Sequence, residues 1–203
     1  MAMDNTLACV LLAAGQSKRF KGESKLTAPF RAKLLVERVF DVLPRALFSQ
    51  CVVVTANTAV QSMAAEKGLE TVYLQVDVPD ISISIRAGLE SVRPDCAGCM
   101  FLVCDQPLLR RESIRLMTAL FPKNTESIIA LGYGETRGNP VLFPRSLFEA
   151  LMALPPGKGG NYVIGQNRDR LLTIQASCEE ELWDVDTVED LERMSDLAFT
   201  KGL

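Results

Sequence analysis

Residues 11–25 read LLAAGQSKRFKGESK, and they set the fold expected of the whole chain. The apolar run Leu7 to Ala14 stops at Gly15. Small and polar residues follow, and four cations, Lys18, Arg19, Lys21 and Lys25, arrive within eight positions. A buried strand that breaks into a glycine-containing loop leaves a row of backbone N–H groups without partners. Such a row binds anions, and nearby Lys and Arg strengthen the attraction. The natural ligand of such a loop is a polyphosphate; the plainer alternative is a surface turn with solvated charges after an edge strand. The loop has neither the GK[ST] ending of a P-loop nor the G-x-G-x-x-G of a dinucleotide fold.

Outward from this loop, apolar runs alternate with segments of helical period, the sign of parallel βαβ units. Leu7–Leu12, Cys51–Thr55, Glu70–Leu74 and Met100–Cys104 read as strands, as do Ser127–Leu131, Val141–Phe143 and Leu171–Gln175. Leu34–Leu47, Thr58–Lys67 (ended by Gly68), Ser82–Val92 (capped by Ser82 or Ser84), Glu112–Phe121, Ser146–Leu154, Tyr162–Asn167 and Val188–Met194 read as helices. GYGETRGNP is read as a glycine-rich connection between two strands. No repeat, linker or low-complexity tract interrupts the pattern, so residues 1–203 are expected to form one three-layer α/β domain. In open sheets of this kind ligands bind at the carboxyl ends of the strands. The first loop, Asp105 and the residues after Ala130 all fall there.

A length of 203 residues, 48% of them hydrophobic, supports one full core. The net charge of -3 argues against a broad nucleic-acid surface, so the basic cluster of the first loop is local. No apolar run approaches the roughly 18 residues needed to span a bilayer, and the start MAMDNT is not the basic opening of a signal peptide. The expectation is a cytoplasmic protein without membrane contact. Cys9, Cys51 and Cys104 lie in apolar runs, where a thiol is a small core residue. Cys96 and Cys99 form a lone C-x-x-C with no histidine anywhere to complete a metal site. The absence of histidine also excludes a histidine base.

Two carboxylates stand where chemistry is expected. Asp105 ends an apolar strand beside Pro107, placed to hold Mg²⁺ at the mouth of a phosphate site; an Asx-turn or helix cap is the alternative. Asp186, in WDVDT (residues 183–187), would cap the last helix or complete the metal site, with Asp184 as the alternate.

The first loop resembles the signature L-x-A-G-x-S-x-R-[FM], with a lysine shortly after, of the MobA-like nucleotidyltransferases. The pattern is met by Leu12, Ala14, Gly15, Ser17, Arg19, Phe20 and Lys25. Strand-then-D-x-P at Asp105 and WDVDTVEDL near the end resemble the metal-binding segments of the same family. ISISIRAGL (81–89) is similar to its base-approaching element, and GNPVLFP (138–144) to its acceptor-pocket element. The resemblance implies a three-layer α/β/α Rossmann-like nucleotidyltransferase fold, mostly parallel with a small antiparallel part. It implies nucleotide binding by Leu12, Ala13, Ala14, Gly15, Ser17, Arg19, Lys25, Ser84 and Asp105, with Arg86 and Gly88 shaping the wall. Arg19, Lys25 and Asp105 would carry catalysis, and Asp105 with Asp186 would hold Mg²⁺. Arg137, Gly138, Asn139 and Pro140 would bind the acceptor.

Leu12-Ala13-Ala14-Gly15 is closer to the cytidylyltransferase form than to the guanylyltransferase form. The expected reaction is therefore transfer of CMP from CTP to the phosphate of molybdopterin or its molybdenum-loaded form. Departures are visible: the glycine after the aromatic is displaced to Gly22, Ala32 and Leu34 replace a usual glycine and proline, and Lys158 stands where relatives are often acidic. Lys158 keeps open a non-catalytic carrier that hands cofactor to a molybdenum hydroxylase, and a transferase using GTP or a sugar or polyol acceptor is the alternative within the same chemistry. A flavodoxin-like binding module is disfavoured by the basic first loop.

Overall fold

Alternation along the strand β1 (Leu7–Ala13) builds the centre of the molecule, seen here in a computed structural model that describes residues 6–15, 20, 24–75 and 80–200. Leu7, Cys9, Leu11 and Ala13 face one side, Ala8 and Val10 the other, and all six are buried. That is the signature of a strand covered on both faces. Each fully buried aliphatic or aromatic side chain of such a core contributes ~1.5–3 kcal/mol.

The remaining elements follow in order: β2 (Pro29–Phe30), β3 (Lys33–Leu34), α1 (Leu35–Val42), β4 (Gln50–Thr55), α2 (Thr58–Glu66) and β5 (Glu70–Tyr73). Then come α3 (Ile81–Glu90), β6 (Gly98–Val103), α4 (Arg111–Leu120), β7 (Ile128–Tyr133) and β8 (Thr136–Pro144). The chain closes with α5 (Phe148–Met152), α6 (Gly160–Gln166), β9 (Leu171–Gln175) and α7 (Val188–Thr200). The main sheet has seven strands in the order β5-β4-β1-β6-β8-β7-β9, all parallel except β8; β2 and β3 pair apart from it. Helices α1, α2, α4 and α7 cover one face, and α3, α5 and α6 the other. The expected three-layer α/β/α fold, mostly parallel with a small antiparallel part, is the one observed.

From β1 the chain moves outward to β4 and β5, then returns to lay β6 on the opposite flank of β1. Strand order therefore reverses between β1 and β6, and the carboxyl ends of these two strands border the crevice where open α/β sheets bind ligands. Helix α3 presses close above it: a Cβ on Gly88 would lie 2.4 Å from a Val10 methyl, so only glycine permits that approach.

Several boundaries differ from expectation for identifiable reasons. Helix α1 stops at Val42 because Pro44 disfavours helical backbone at the residue before it, and Leu43 is extended at ψ 118°. The cap of α3 is Asp80, whose carboxylate accepts from Ser82 N at 2.9 Å, so Ser82 and Ser84 are helical residues instead. The segment GYGETRGNP is a β-hairpin, not a loop. Gly134, at φ +57°, makes its turn, while Gly138 sits within a strand because Leu182 packs against it. Helix α7 runs on to Thr200, with Leu191, Met194 and Ala198 buried along it.

Candidate active site

The crevice holds two adjoining cavities. The first, about 270 Å³, lies beyond the end of β1 and is lined by Leu12, Ala14, Gly15, Lys25, Ser84 and Asp105, with Leu26, Asp80, Ile81 and Val103 completing it. Lys25 opens a 3₁₀ turn (Lys25–Thr27), and its side chain is nearly buried. Its ammonium donates to the Val185 carbonyl at 2.7 Å and to Asp186 Oδ1 at 3.2 Å, and pairs with Asp105 Oδ2 at 2.7 Å. Burial works to lower the Lys25 pKa, but the Asp105 and Asp186 carboxylates outweigh it and leave it raised, so the group stays charged. Asp105 stands two residues beyond the end of β6, and its own carbonyl accepts from Val185 N at 2.9 Å.

The second cavity, about 390 Å³, is bordered by Arg137, Gly138 and Asn139 of β8, the start of α6 at Gly160 and Asn161, and Leu182 with Asp184. Arg137 donates from Nη2 to Asn161 Oδ1 at 2.9 Å. Partial burial lowers the Arg137 pKa from its ordinary value, yet a guanidinium remains protonated in proteins. A Cβ on Gly138 would stand 3.0 Å from Leu182 Cδ2, so glycine lets the strap 177–186 close this wall.

Leu12, Ile81 and Val103 line both cavities, which makes the two continuous along one apolar seam. Polar groups gather at the seam. Gln106 donates from Nε2 to the Leu182 carbonyl at 3.1 Å. Asp184 is an exposed residue of the strap, but its carboxyl is set down in the cleft; enclosure and the Asp105 charge push its pKa up to about 6.

Whether a divalent cation suits this place can be tested on Asp105. Its Oδ1 atom is buried and meets no hydrogen-bond donor among the described residues, an unmet demand that a cation or ligand donor would satisfy. Asp186 keeps its side chain more than half exposed while one oxygen meets Lys25. Among the described residues no three His, Cys, Asp or Glu side chains converge into a metal cage. Mg²⁺ fits that donor set, since it commonly takes one or two carboxylates and completes its shell with phosphates and water.

The structure thus gathers Leu12, Ala14, Gly15, Lys25, Ser84, Asp105 and Asp186 at one cavity or its edge, and Arg137, Gly138 and Asn139 at the other. Ser17 and Arg19 lie outside the described residues. Ala13 and Pro140 are buried and line neither cavity: Ala13 ends β1 with its side chain in the core on one face of the sheet, and its carbonyl accepts from Thr55 Oγ1 at 3.1 Å. Ser84 lines the first cavity while donating its hydroxyl to the Asp80 carbonyl at 3.2 Å. Arg86 and Gly88 do not form the wall. Arg86 reaches to the Leu154 carbonyl at 2.9 Å, and Gly88 meets the sheet.

Against known sequences, residues 9–171 match the MobA-like NTP transferase domain. The chain belongs to that family. Among its MobA-like relatives is a molybdenum cofactor guanylyltransferase of Aliivibrio salmonicida, 27% identical over 124 residues. That match spans 60% of this chain and 60% of the relative's length. Among solved structures, Rv0371c from Mycobacterium tuberculosis superimposes with a TM-score of 0.81 at 28% identity, covering 94% of this chain and 98% of that one. A complex of Rv0371C with manganese gives a TM-score of 0.74 at 26% identity over 94% and 98% of the two chains.

The MobA-like match ends before the strap 177–186, which supplies Leu182, Asp184 and Asp186. Sequence reasoning missed Asp80, Gln106, Asn161 and Leu182 as parts of the site. For Asp80 a signal existed, since an aspartate two residues before a helical serine is a common N-cap pattern. For Leu182 none did, because its place depends on packing against Gly138 across the chain. The cysteines stand apart from the chemistry: Cys9, Cys96, Cys99 and Cys104 are buried free thiols, and burial pushes Cys9, Cys99 and Cys104 up.

Proposed function

We propose that the chain transfers CMP from CTP to the phosphate of a molybdopterin-type acceptor and releases pyrophosphate. The observation that carries this reading is the pair of adjoining cavities. One is floored by Lys25 and Asp105 beyond the β1 loop, the other is walled by Arg137 and Asn139, and they meet along Leu12, Ile81 and Val103. The triphosphate is taken in the first cavity, where the Ala14–Gly15 turn and the ammonium of Lys25 face anionic oxygens. The acceptor phosphate is held at Arg137, whose guanidinium Asn161 orients. An acceptor phosphate oxygen forms a bond to the α-phosphorus as the bond from that phosphorus to the β-bridging oxygen breaks. The attacking phosphate is already anionic, so no side chain has to remove a proton. Positioning and charge neutralisation carry the reaction.

Mg²⁺ held by Asp105 and Asp186 would neutralise phosphate charge and polarise the α-phosphoryl group; that the Rv0371C relative forms a complex with manganese supports the binding of a divalent ion. A second reading, GTP as the donor, is favoured by the guanylyltransferase among the relatives. Incubation with α-labelled CTP or GTP, molybdopterin and Mg²⁺, followed by mass analysis, tests both. A cytosine dinucleotide of molybdopterin supports the first reading, a guanine dinucleotide replaces it with the second, and the absence of both defeats the transferase reading.

A further inference from the structure

The strap 181–186 has an alternation of its own. Leu182 and Asp184 line the acceptor-side cavity and Asp186 meets Lys25, whereas the intervening residues turn into the body of the protein. Val185 is fully buried, and Trp183 stacks beneath the Arg193 guanidinium, 4.9 Å from its ring centre. The third of these inward residues is Glu181, a carboxylate with no exposed surface. Four donors converge on it. Oε1 accepts from Ser177 N at 2.9 Å and Ser177 Oγ at 2.6 Å; Oε2 accepts from Ser113 Oγ at 2.5 Å and Arg110 N at 3.2 Å.

A buried carboxylate is costly unless its oxygens are satisfied, and here backbone and hydroxyl donors satisfy them without an ion pair among the described residues. Its two oxygens face different parts of the chain. Oε1 closes the turn from Ser177 to Leu182. Oε2 ties that turn to the start of α4, the segment that leaves the site immediately after Asp105 and Gln106. Three further bonds stitch the strap in the same register: Gln106 Nε2 to Leu182 O, Val185 N to Asp105 O, and Lys25 Nζ to Val185 O.

We propose that Glu181 is a positioning residue: it fixes the register of the strap and so places Leu182 and Asp184 in the acceptor-side wall, and this role rests on the transferase reading above. Only a group that accepts on both oxygens answers four converging donors. Of the strap side chains only Asp186, farthest from the anchor, reaches the nucleotide side, where it pairs with Lys25, while Leu182 and Asp184 line the acceptor-side cavity. Loss of the anchor therefore acts on the acceptor far more than on the nucleotide.

The test compares wild type with Glu181→Gln and Glu181→Ala. It reads the KM for molybdopterin, the Kd of CTP measured calorimetrically without metal, and the emission of Trp183, the only tryptophan of the chain. Glu181→Gln turns an amide NH₂ toward donors. The molybdopterin KM is expected to rise about tenfold, because a buried donor left unmet loosens the strap. Trp183 emission moves to longer wavelength, and the CTP Kd stays within about twofold of wild type. Should Glu181→Ala fail to fold, Glu181→Gln carries the test. An unchanged molybdopterin KM with unchanged Trp183 emission overturns the proposal, as does an equal loss of CTP and acceptor affinity. A wild type that turns over no nucleotide defeats the transferase reading instead, and the Trp183 emission then decides the anchor by itself.

Discussion

The nucleotide-side cavity is built from the ends of β1 and β6, the first residues of α3 and the turn at Lys25, whereas the acceptor-side cavity is assembled from β8, the start of α6 and the 177–186 strap. The first is local to a strand end, so the residues that make it stand beside the apolar runs that make the sheet. The second depends on contacts between distant segments, Gly138 against Leu182 and Arg137 with Asn161. A family that keeps the first construction and varies the second can keep its donor chemistry while changing what receives it.

Substitutions in the two cavities should therefore separate turnover, donor affinity and acceptor affinity. The largest effect is expected at the junction. Asp105→Asn keeps the shape of the side chain but removes its negative charge and turns one acceptor oxygen into a donor amide, and should lower turnover roughly 100- to 1,000-fold with the far-ultraviolet dichroism unchanged, the scale of losing one preorganised electrostatic contact. Near-normal activity in that variant would remove Asp105 from the mechanism. Next, Lys25→Met takes the cation from between Asp105 and Asp186; the Kd of CTP should rise roughly 10- to 100-fold by titration calorimetry, from lost charge-assisted contacts to phosphate. Arg137→Ala should raise the acceptor KM about tenfold and leave the CTP Kd alone. If both constants shift together, the cavities are not independent and the comparison fails.

The smallest effect concerns Asp184. Its pKa of about 6 lies above the ordinary 3.8, so the folded chain holds this proton more tightly than the unfolded chain. The resulting stabilisation is complete below about pH 4 and is lost as pH rises through about 6. Asp184→Asn, neutral at every pH, should gain in thermal midpoint over wild type between those values in metal-free protein and hold a constant difference above them. Parallel midpoint profiles for the two proteins would contradict the placement of the carboxyl in the cleft.

How much of this was legible in the sequence follows the same division. Continuous apolar runs such as Leu7–Leu12 and Cys51–Thr55 announced buried parallel strands, because burial on both faces leaves no polar position to interrupt the run. Gly15 and Asp105 were readable because each follows such a run, and Lys25 because it closes the basic cluster after the first one. The outer strands of the hairpin, Ser127–Leu131 and Val141–Phe143, were readable, but the strand residues between them at 132–140 were not, since glycines normally signal a loop and only the packing of Leu182 explains Gly138 in a strand. Glu181 was invisible for a related reason. A glutamate among Glu179, Glu180 and Glu181 reads as solvated charge until Ser113 and Arg110, from 68 and 71 residues earlier, close around it.

The most direct test of the account is pyrophosphate release from CTP and from GTP with Mg²⁺, each with and without molybdopterin. The two-cavity reading predicts release that requires a nucleotide and molybdopterin together, with CTP the better donor. Silence with both nucleotides, alongside tight molybdopterin binding, would contradict it and make the chain a carrier of the cofactor.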